Sequence, residues 1–255
     1  MKVFAIAAHP DDIEFNFAGT LLLLKNAGCC IHYMNMSKGS LGSNVYNPEK
    51  TAELRLQEAK NSAKNLDAVF HPPLTDDIEI MYSKKLISKL GSIIREAAPD
   101  ILLIPSPEDY MEDHMNTCRI AVTAAFCRDM NNYKVIPNRS PISNQLAVYH
   151  AQPHGNRDGL NRLVKPGFFI DITAVIDEKI KMLAEHKSQK EFLDQTQGMD
   201  AYVEIMQEYS KEIGILSEKF EYAEGWRRHN PLGFCNNNFD PIKDTLKKYY
   251  LKNHN

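Results

Sequence analysis

The sequence lacks the features that mark several large classes of protein. Its longest apolar segment, around residues 20–24, ends at Lys25, whereas a membrane-spanning helix needs about 18 or more uncharged apolar residues. Basic residues are not in excess either, because 30 Lys+Arg stand against 33 Asp+Glu and give a formal net charge of -3. The sequence pI is near 6.3. We therefore expect no membrane span and no nucleic-acid partner.

Cysteines are also few, and no two of them have the Cys-x-x-Cys spacing. The five cysteines are Cys29, Cys30, Cys118, Cys127 and Cys235. An odd number without metal-binding spacing predicts reduced, structural thiols, which suit the cytosol. The N-terminus leads directly into an apolar run with no small-residue cleavage site. We predict a cytoplasmic protein.

What is present is an ordinary globular composition, with 43% hydrophobic and 25% charged residues. Such a composition excludes a disordered chain, which has fewer apolar residues and a larger net charge. We find no repeat and no linker-like stretch. The prediction is one domain over residues 1–255, with a C-terminal helical extension from about residue 177.

Strand-like and helix-like segments alternate over the first 130 residues. Predicted strands cover residues 3–8, 30–36, 68–70 and 101–104, and predicted helices cover residues 13–27, 48–66, 84–97 and about 114–126. Two more strands are predicted at residues 146–149 and 168–172, then a helical region over 177–219 with a break at Gln197-Gly198, and residues 222–255 give no clear assignment. This alternation predicts an α/β fold with a mostly parallel sheet. Right-handed connections favour the strand order 3-2-1-4, with the C-terminal strands added.

The predicted order places a topological switch point between strands 1 and 4. Ligands in such sheets bind at the carboxyl ends of the strands that flank the switch. Here the two loops are residues 9–12 and residues 106–114. The predicted topology therefore points to these two loops before their residue types are considered.

Both loops carry potential metal ligands. His9, Asp12 and His114 supply two imidazoles and one carboxylate, a set typical of catalytic zinc sites. Asp11 is then a spare carboxylate that is placed to take a proton from a metal-activated water. The alternative is structural, because Asp after Pro is common in turns and Asp113 suits the N-cap of the following helix. Two such loops at one switch point favour the metal site.

These residues carry a resemblance to a known family. Ala8-His9-Pro10-Asp11-Asp12 and the Pro-Glu-Asp-Tyr-x-x-Asp-His stretch at 107–114 resemble the LmbE-like (PIG-L) family of zinc-dependent N-acetylglucosamine deacetylases. Weaker similarity lies at Arg55-x-x-Glu58 and at residues 169–172, 186–189 and 224–228. On residue types alone, Arg55 and Glu58 are most simply a surface ion pair one helical turn apart.

The resemblance implies a fold, a reaction and roles for individual residues. The fold is a Rossmann-like three-layer α/β fold, and the reaction is removal of the N-acetyl group from an amino sugar or its conjugate. The implied metal ligands are His9, Asp12 and His114, the general base is Asp11, and Arg55 contacts the substrate. The cofactor is Zn²⁺, with another divalent ion such as Fe²⁺ as the alternative. Relatives often assemble through their C-terminal halves, so a homo-oligomer is a further expectation.

One position departs from the family pattern. Relatives usually carry His-x-Asp-His, whose first histidine stabilises the tetrahedral oxyanion, whereas this sequence has Met111-Glu112-Asp113-His114. A thioether donates no hydrogen bond, and the loss of one oxyanion donor typically costs about 10²–10³ in rate. Asp113, without that histidine, is expected to accept a hydrogen bond from His9 or His114.

Three alternatives follow from Met111. The metal acts alone with lower activity, another histidine reaches the site, or the protein uses a different substrate or binds without turnover. We take the second as the working hypothesis, with His150, His154 and His186 as candidates, and we include His150 and His186 among the substrate-binding residues. The alternatives to an N-acetylglucosamine deacetylase are a zinc amidase or esterase and a carbohydrate-binding relative without turnover.

Overall fold

The computed structural model describes residues 1–190 and 202–254, and within these ranges eight strands form one sheet. The strands are β1 (Lys2–Ala7), β2 (Cys30–Asn35), β3 (Val69–His71), β4 (Ile101–Ile104), β5 (Ala147–Ala151), β6 (Phe168–Asp171), β7 (Ala223–Arg228) and β8 (Tyr250–Lys252). Their order is β3-β2-β1-β4-β5-β7-β6-β8. Strands β1 to β5 pair in parallel, and β7, β6 and β8 pair antiparallel. The predicted order 3-2-1-4 with added C-terminal strands is confirmed.

Helices cover both faces of the sheet. They are α1 (Asp12–Asn16), α2 (Ala18–Asn26), α3 (Pro48–Asn65), α4 (Lys84–Ala97), α5 (Glu112–Phe126), α6 (Ile176–Leu183), α7 (Tyr202–Leu216) and α8 (Pro241–Thr245). Side chains of β1 alternate between the two faces, so that Val3 and Ala5 pack with α2 and α3 while Phe4 and Ile6 pack with α4 and α5. All four are fully buried. Burial on both faces explains why this strand is an uninterrupted apolar run, and it confirms the three-layer α/β fold.

Two predicted helical regions are divided in the structure. The helix predicted over residues 13–27 is α1 followed by α2, with Phe17 between them in a non-helical conformation and its ring packed against Trp226 at 5.5 Å. Gly28 follows α2 with φ +84°, as expected for a glycine that ends a helix. In the region predicted as helical over 177–219, α6 ends at Leu183 and α7 begins at Tyr202. The predicted break at Gln197-Gly198 lies outside the described residues.

The C-terminal residues without a sequence assignment contribute β7, α8 and β8. Strand β7 lies between β5 and β6, in the interior of the sheet. Its Glu224 is buried, and the carboxylate charge is compensated by a 2.7 Å ion pair with Lys179 and by hydrogen bonds from the backbone N–H groups of Gly19 and Thr20. A charged residue within the strand interrupts its apolar pattern, so the sequence alone did not predict β7. The division into one domain with a helical extension stays a prediction.

The parallel strands bring three loops to one edge of the sheet. The loops follow the carboxyl ends of β1, β4 and β5, which are neighbours in the order β1-β4-β5. The carboxyl edge at the switch point of an α/β sheet is where ligands bind. Among the described residues, no helix combines the length and the apolar character that crossing a bilayer requires.

Candidate metal and catalytic site

The loop after β1 is shaped by its own carboxylates. Asp12 Oδ2 accepts the backbone N–H groups of Ala8 (3.1 Å) and His9 (2.8 Å), which fixes the chain as it leaves the strand. Asp11 has φ +106°, in the left-handed region that a non-glycine residue rarely occupies. Backbone strain of this kind occurs at functional sites and persists only where the surroundings hold it.

The structure brings the three predicted metal ligands together. Donor atoms of His9, Asp12 and His114 all lie within 4.8 Å of one another, and all three residues are buried. Asp12 Oδ1 is 3.4 Å from His114 Nε2, and Asp12 Oδ2 is 3.6 Å from His9 Nδ1. Ligand atoms at about 2.0–2.1 Å from a tetrahedral zinc are roughly 3.3 Å apart. The donor set and its spacing therefore fit a divalent metal ion.

The other nitrogen of each histidine faces a further carboxylate. His9 Nε2 donates to Asp113 Oδ2 at 2.9 Å, and His114 Nδ1 is 3.0 Å from Asp109 Oδ1. Such carboxylates fix the tautomer and orientation of metal-binding imidazoles. Of the two partners expected for Asp113, His9 and His114, the structure shows His9. Asp109 was not among the predicted site residues, although it lies within the predicted 106–114 loop.

The carboxylates create a strongly negative environment around both imidazoles. Burial opposes the charged form of His9, but hydrogen bonds to Asp113 and Asp12 outweigh it and raise its pKa to about 9. Burial likewise opposes protonation of His114, and the neighbouring Asp12 and Asp109 raise its pKa well above the usual value. A field that holds protons on two buried imidazoles also attracts a cation in their place.

Asp11 is the buried carboxylate beside this cluster. Its Oδ2 accepts a hydrogen bond from the Tyr202 hydroxyl at 2.5 Å, and its Oδ1 is 3.5 Å from Arg55 Nη2. Burial raises the pKa of Asp11, while Arg55 opposes that rise and Asp12 adds to it. Tyr202 comes from α7, and no sequence signal connected it with Asp11.

Arg55 reaches the site from α3. Its guanidinium donates to Pro10 O (2.5 Å) and Gly39 O (3.5 Å), and the residue is only 3% exposed. The prediction of a surface ion pair between Arg55 and Glu58 is therefore wrong. Glu58 instead accepts the Ser188 backbone N–H (2.9 Å). The two side chains point in different directions. Arg55 packs against Gly39 and Gly42 of the loop after β2, whereas Glu58 faces Ser188.

A cavity of about 300 Å³ lies over these groups. Its lining comprises His9, Asp11, Asp12, Phe15, Leu41, Gly42, Arg55, Asp77, Ile78, Tyr110, Met111, His114, His154, Gln189, Tyr202 and Ile205. The polar groups lie at the sheet edge, and Leu41, Ile78 and Tyr110 are both cavity-lining and at least half exposed. The site is thus a partly apolar pocket with the predicted metal ligands and Arg55 in its wall.

Two of the three candidate histidines do not line this cavity. His150 points from β5 towards α5, where Nδ1 donates to Pro105 O (3.2 Å) and Nε2 is 2.9 Å from His229 Nδ1. His186 is fully buried beside Glu14, with 3.2 Å between Nε2 and Oε2. Neither side chain lines the cavity, and the substrate-binding role of His150 and His186 stays a prediction. His154 lines the cavity.

Met111 also lines the cavity, at the start of α5. Its backbone N–H donates to Asp109 Oδ1 at 3.1 Å, and its side chain offers no donor. The sequence departure at Met111 thus falls inside the site rather than on the surface.

Comparison with known proteins finds a family profile and a relative that match this chain. The profile described as PIG-L: GlcNAc-PI de-N-acetylase matches residues 4–125. Diacetylchitobiose deacetylase from Thermococcus kodakarensis is 28% identical over 236 residues, which cover 89% of this chain and 82% of that protein.

Two solved structures share the fold. N,N'-diacetylchitobiose deacetylase from Pyrococcus horikoshii has a TM-score of 0.75 at 22% identity and covers 94% of this chain and 88% of its own. GalB, the 4-carboxy-2-hydroxymuconate hydratase from Pseudomonas putida, has a TM-score of 0.74 at 21% identity, with coverage of 90% and 96%. Because a deacetylase and a hydratase share this architecture, the fold alone does not select the reaction. The profile match and the curated relative are more specific than the fold, and residues 4–125 match the PIG-L (LmbE-like) family.

Proposed function

We propose that this protein is a metal-dependent deacetylase that hydrolyses the acetamido group of an N-acetylglucosamine-type sugar. The observation that carries the proposal is the position of Asp11, a buried carboxylate held by Tyr202 and Arg55 directly beside the His9/Asp12/His114 cluster. The relative from Thermococcus kodakarensis, a diacetylchitobiose deacetylase, supports the substrate class.

His9, Asp12 and His114 would hold the metal. Two imidazoles and one carboxylate suit Zn²⁺, which is our proposal, and the same set also suits Fe²⁺. A divalent ion there supplies Lewis-acid polarisation of the carbonyl and lowers the pKa of a water molecule. Asp113 orients the His9 ring.

Asp11 moves the protons of the reaction. It takes one from the water that attacks the acetamide carbon, and it returns that proton to the nitrogen as the C–N bond breaks. The products are acetate and the free amine. Its two neighbours, Tyr202 and Arg55, keep the carboxylate aimed into the cavity.

Arg55 is our proposed substrate contact. It lines the cavity while its guanidinium is fixed by backbone carbonyls, so little side-chain entropy is lost when a ligand hydroxyl binds. The cavity of about 300 Å³ is at the lower end for small-molecule sites, which supports recognition of one sugar unit at a time. Cytoplasmic location and self-association stay predictions.

The test is amine release that depends on the metal. Purified protein is analysed for metal and incubated with N-acetylglucosamine and N,N'-diacetylchitobiose, before and after chelation and after Zn²⁺ or Fe²⁺ is restored. We expect about one metal per chain and amine release that is lost on chelation and recovered with one of the ions. Amine release that survives complete removal of the metal contradicts the proposal.

Met111 supports a second candidate, a sugar-binding protein without turnover. The cavity wall carries a thioether where a hydrogen-bond donor is expected. Calorimetric binding of the same sugars together with no amine release in any metal form would favour this candidate over the deacetylase.

A further inference from the structure

Several side-chain donors of the cavity wall already have partners in the described residues. The Tyr202 hydroxyl donates to Asp11, and the Arg55 guanidinium donates to Pro10 O and Gly39 O. Met111 has no side-chain donor. Beyond the polarisation that a divalent ion would supply, a donor from another part of the wall can stabilise the charge that develops on a carbonyl oxygen during attack.

Among the lining residues that the structure describes, His154, Tyr110 and Gln189 carry side-chain donors without a hydrogen-bond partner, and of these His154 is the one tied to the carboxylate beside His114. His154 follows β5, which pairs directly with β4, so the end of β5 delivers it to the same edge as the loop that carries His114. In residues 1–190 and 202–254, neither ring nitrogen of His154 has a hydrogen-bond partner, although its backbone N–H donates to Asp109 Oδ2 at 3.2 Å. Asp109 is the residue that also holds the His114 ring. One carboxylate thus fixes the position of His154 relative to a predicted metal ligand.

Aromatic rings hold the orientation of the His154 imidazole. Its ring centroid lies 4.9 Å from Phe15, 6.0 Å from Tyr110 and 5.5 Å from Tyr209. The Tyr110 ring in turn lies 5.9 Å from His114. An imidazole without polar partners, clamped by aromatic rings and open to the cavity, is preorganised to give its hydrogen bond to a ligand.

We propose that the His154 imidazole donates a hydrogen bond to the acetamide carbonyl oxygen as negative charge develops on it, in place of the side chain that Met111 does not provide. This rests on the proposed deacetylation. The imidazole keeps its proton throughout, and Asp11 alone carries the proton from water to the amine. An imidazole has an N–H in either protonation state, so the role needs no change of charge on His154.

The test compares His154→Phe, which keeps the aromatic packing, with His154→Gln, which keeps a donor. For His154→Phe we expect kcat to fall by about 10²–10³, with KM changed by no more than roughly threefold and metal content unchanged. His154→Gln should recover part of kcat. Introducing Met111→His into His154→Phe should restore kcat further, because it returns a donor to the cavity.

Binding of a tetrahedral probe separates this inference from the proposed function. A methylphosphonamidate analogue of N-acetylglucosamine carries charged oxygens where the reacting carbonyl would be, so His154→Phe should weaken its binding far more than that of N-acetylglucosamine itself. If wild-type protein releases no amine, the deacetylase proposal fails, and the analogue titration still decides the role of His154. Equal analogue affinity in wild type and His154→Phe overturns the inference.

Two matched variants complete the test. Tyr209→Phe keeps the ring against His154 and should leave kcat within about twofold, since Tyr209 is not among the cavity-lining residues. Tyr110→Phe removes a cavity-lining hydroxyl that has no hydrogen-bond partner among the described residues. A loss of kcat in Tyr110→Phe together with wild-type kcat in His154→Phe would assign the donor to Tyr110 and overturn the inference.

Discussion

Asp113 offers a quantitative test of how the candidate metal ligands are oriented. Its Oδ2 accepts both the His9 Nε2–H (2.9 Å) and the Ile78 backbone N–H (2.8 Å). Asp113→Asn removes the negative charge and leaves one amide oxygen for both donors. Loss of such a partner typically lowers metal affinity about 10- to 100-fold, which is about 1.4–2.7 kcal/mol of binding free energy. We expect a decrease within that range.

The assay is a competition titration of Zn²⁺ against a chelator of known affinity, with circular dichroism as the check on folding. Asp109→Asn, which acts on His114 in the same way, should give a decrease of similar size. Asp76→Asn is the matched control, because the Asp76 carboxylate is partly exposed and, in the part of the chain that the structure describes, pairs with Lys38. Wild-type affinity in Asp113→Asn, or an equal decrease in Asp76→Asn, would refute the reasoning.

Three further predictions follow from buried contacts. Lys179→Met leaves the Glu224 carboxylate buried without its 2.7 Å partner. We expect the free energy of unfolding, measured with urea, to fall by about 3–5 kcal/mol. Gly42→Ala places a Cβ 2.5 Å from Arg55 Nη1, so it should displace the guanidinium and reduce kcat/KM by about tenfold or more. Burial lowers the pKa of His150 to about 4, so the unfolded chain binds a proton at higher pH than the folded one. The free energy of unfolding, measured with urea, should therefore fall by about 2 kcal/mol between pH 7 and pH 5 because of His150. His150→Gln should remove that part of the decrease.

Each of these predictions has a control in the chain. Arg162→Met breaks the exposed pair with Asp158 and should change stability by no more than about 0.5 kcal/mol. Gly28→Ala, where an added Cβ has no neighbour within 4 Å, should affect stability through its positive φ and leave kcat/KM unchanged. An unchanged pH dependence in His150→Gln would mean that other groups account for the acid sensitivity.

The sequence was sufficient to predict that His9, Asp12 and His114 lie close together. His9 and Asp12 directly follow β1, and His114 lies in the first turn of α5, after the loop that leaves β4, so strand order brings the two loops to one edge. The grouping of these three donors needed no knowledge of side-chain packing, because the carboxyl ends of adjacent parallel strands meet.

Residues whose roles depend on long-range packing were not predictable in the same way. Tyr202 reaches Asp11 across 191 positions of sequence, and neither its residue type nor its helix indicates that contact. The choice among the candidate histidines depends on which face of β5 a side chain takes and where that strand ends. A shift of one residue reverses the face, so His150 and His154 were equivalent candidates until the register was known.

The central claim is that Asp11 performs proton transfer beside a metal held by its neighbours. The most direct measurement is amine release by Asp11→Asn with metal content determined on the same samples. The account predicts about one metal per chain in both proteins and a rate at least about 10²-fold lower in the variant. Wild-type amine release by metal-loaded Asp11→Asn would contradict it.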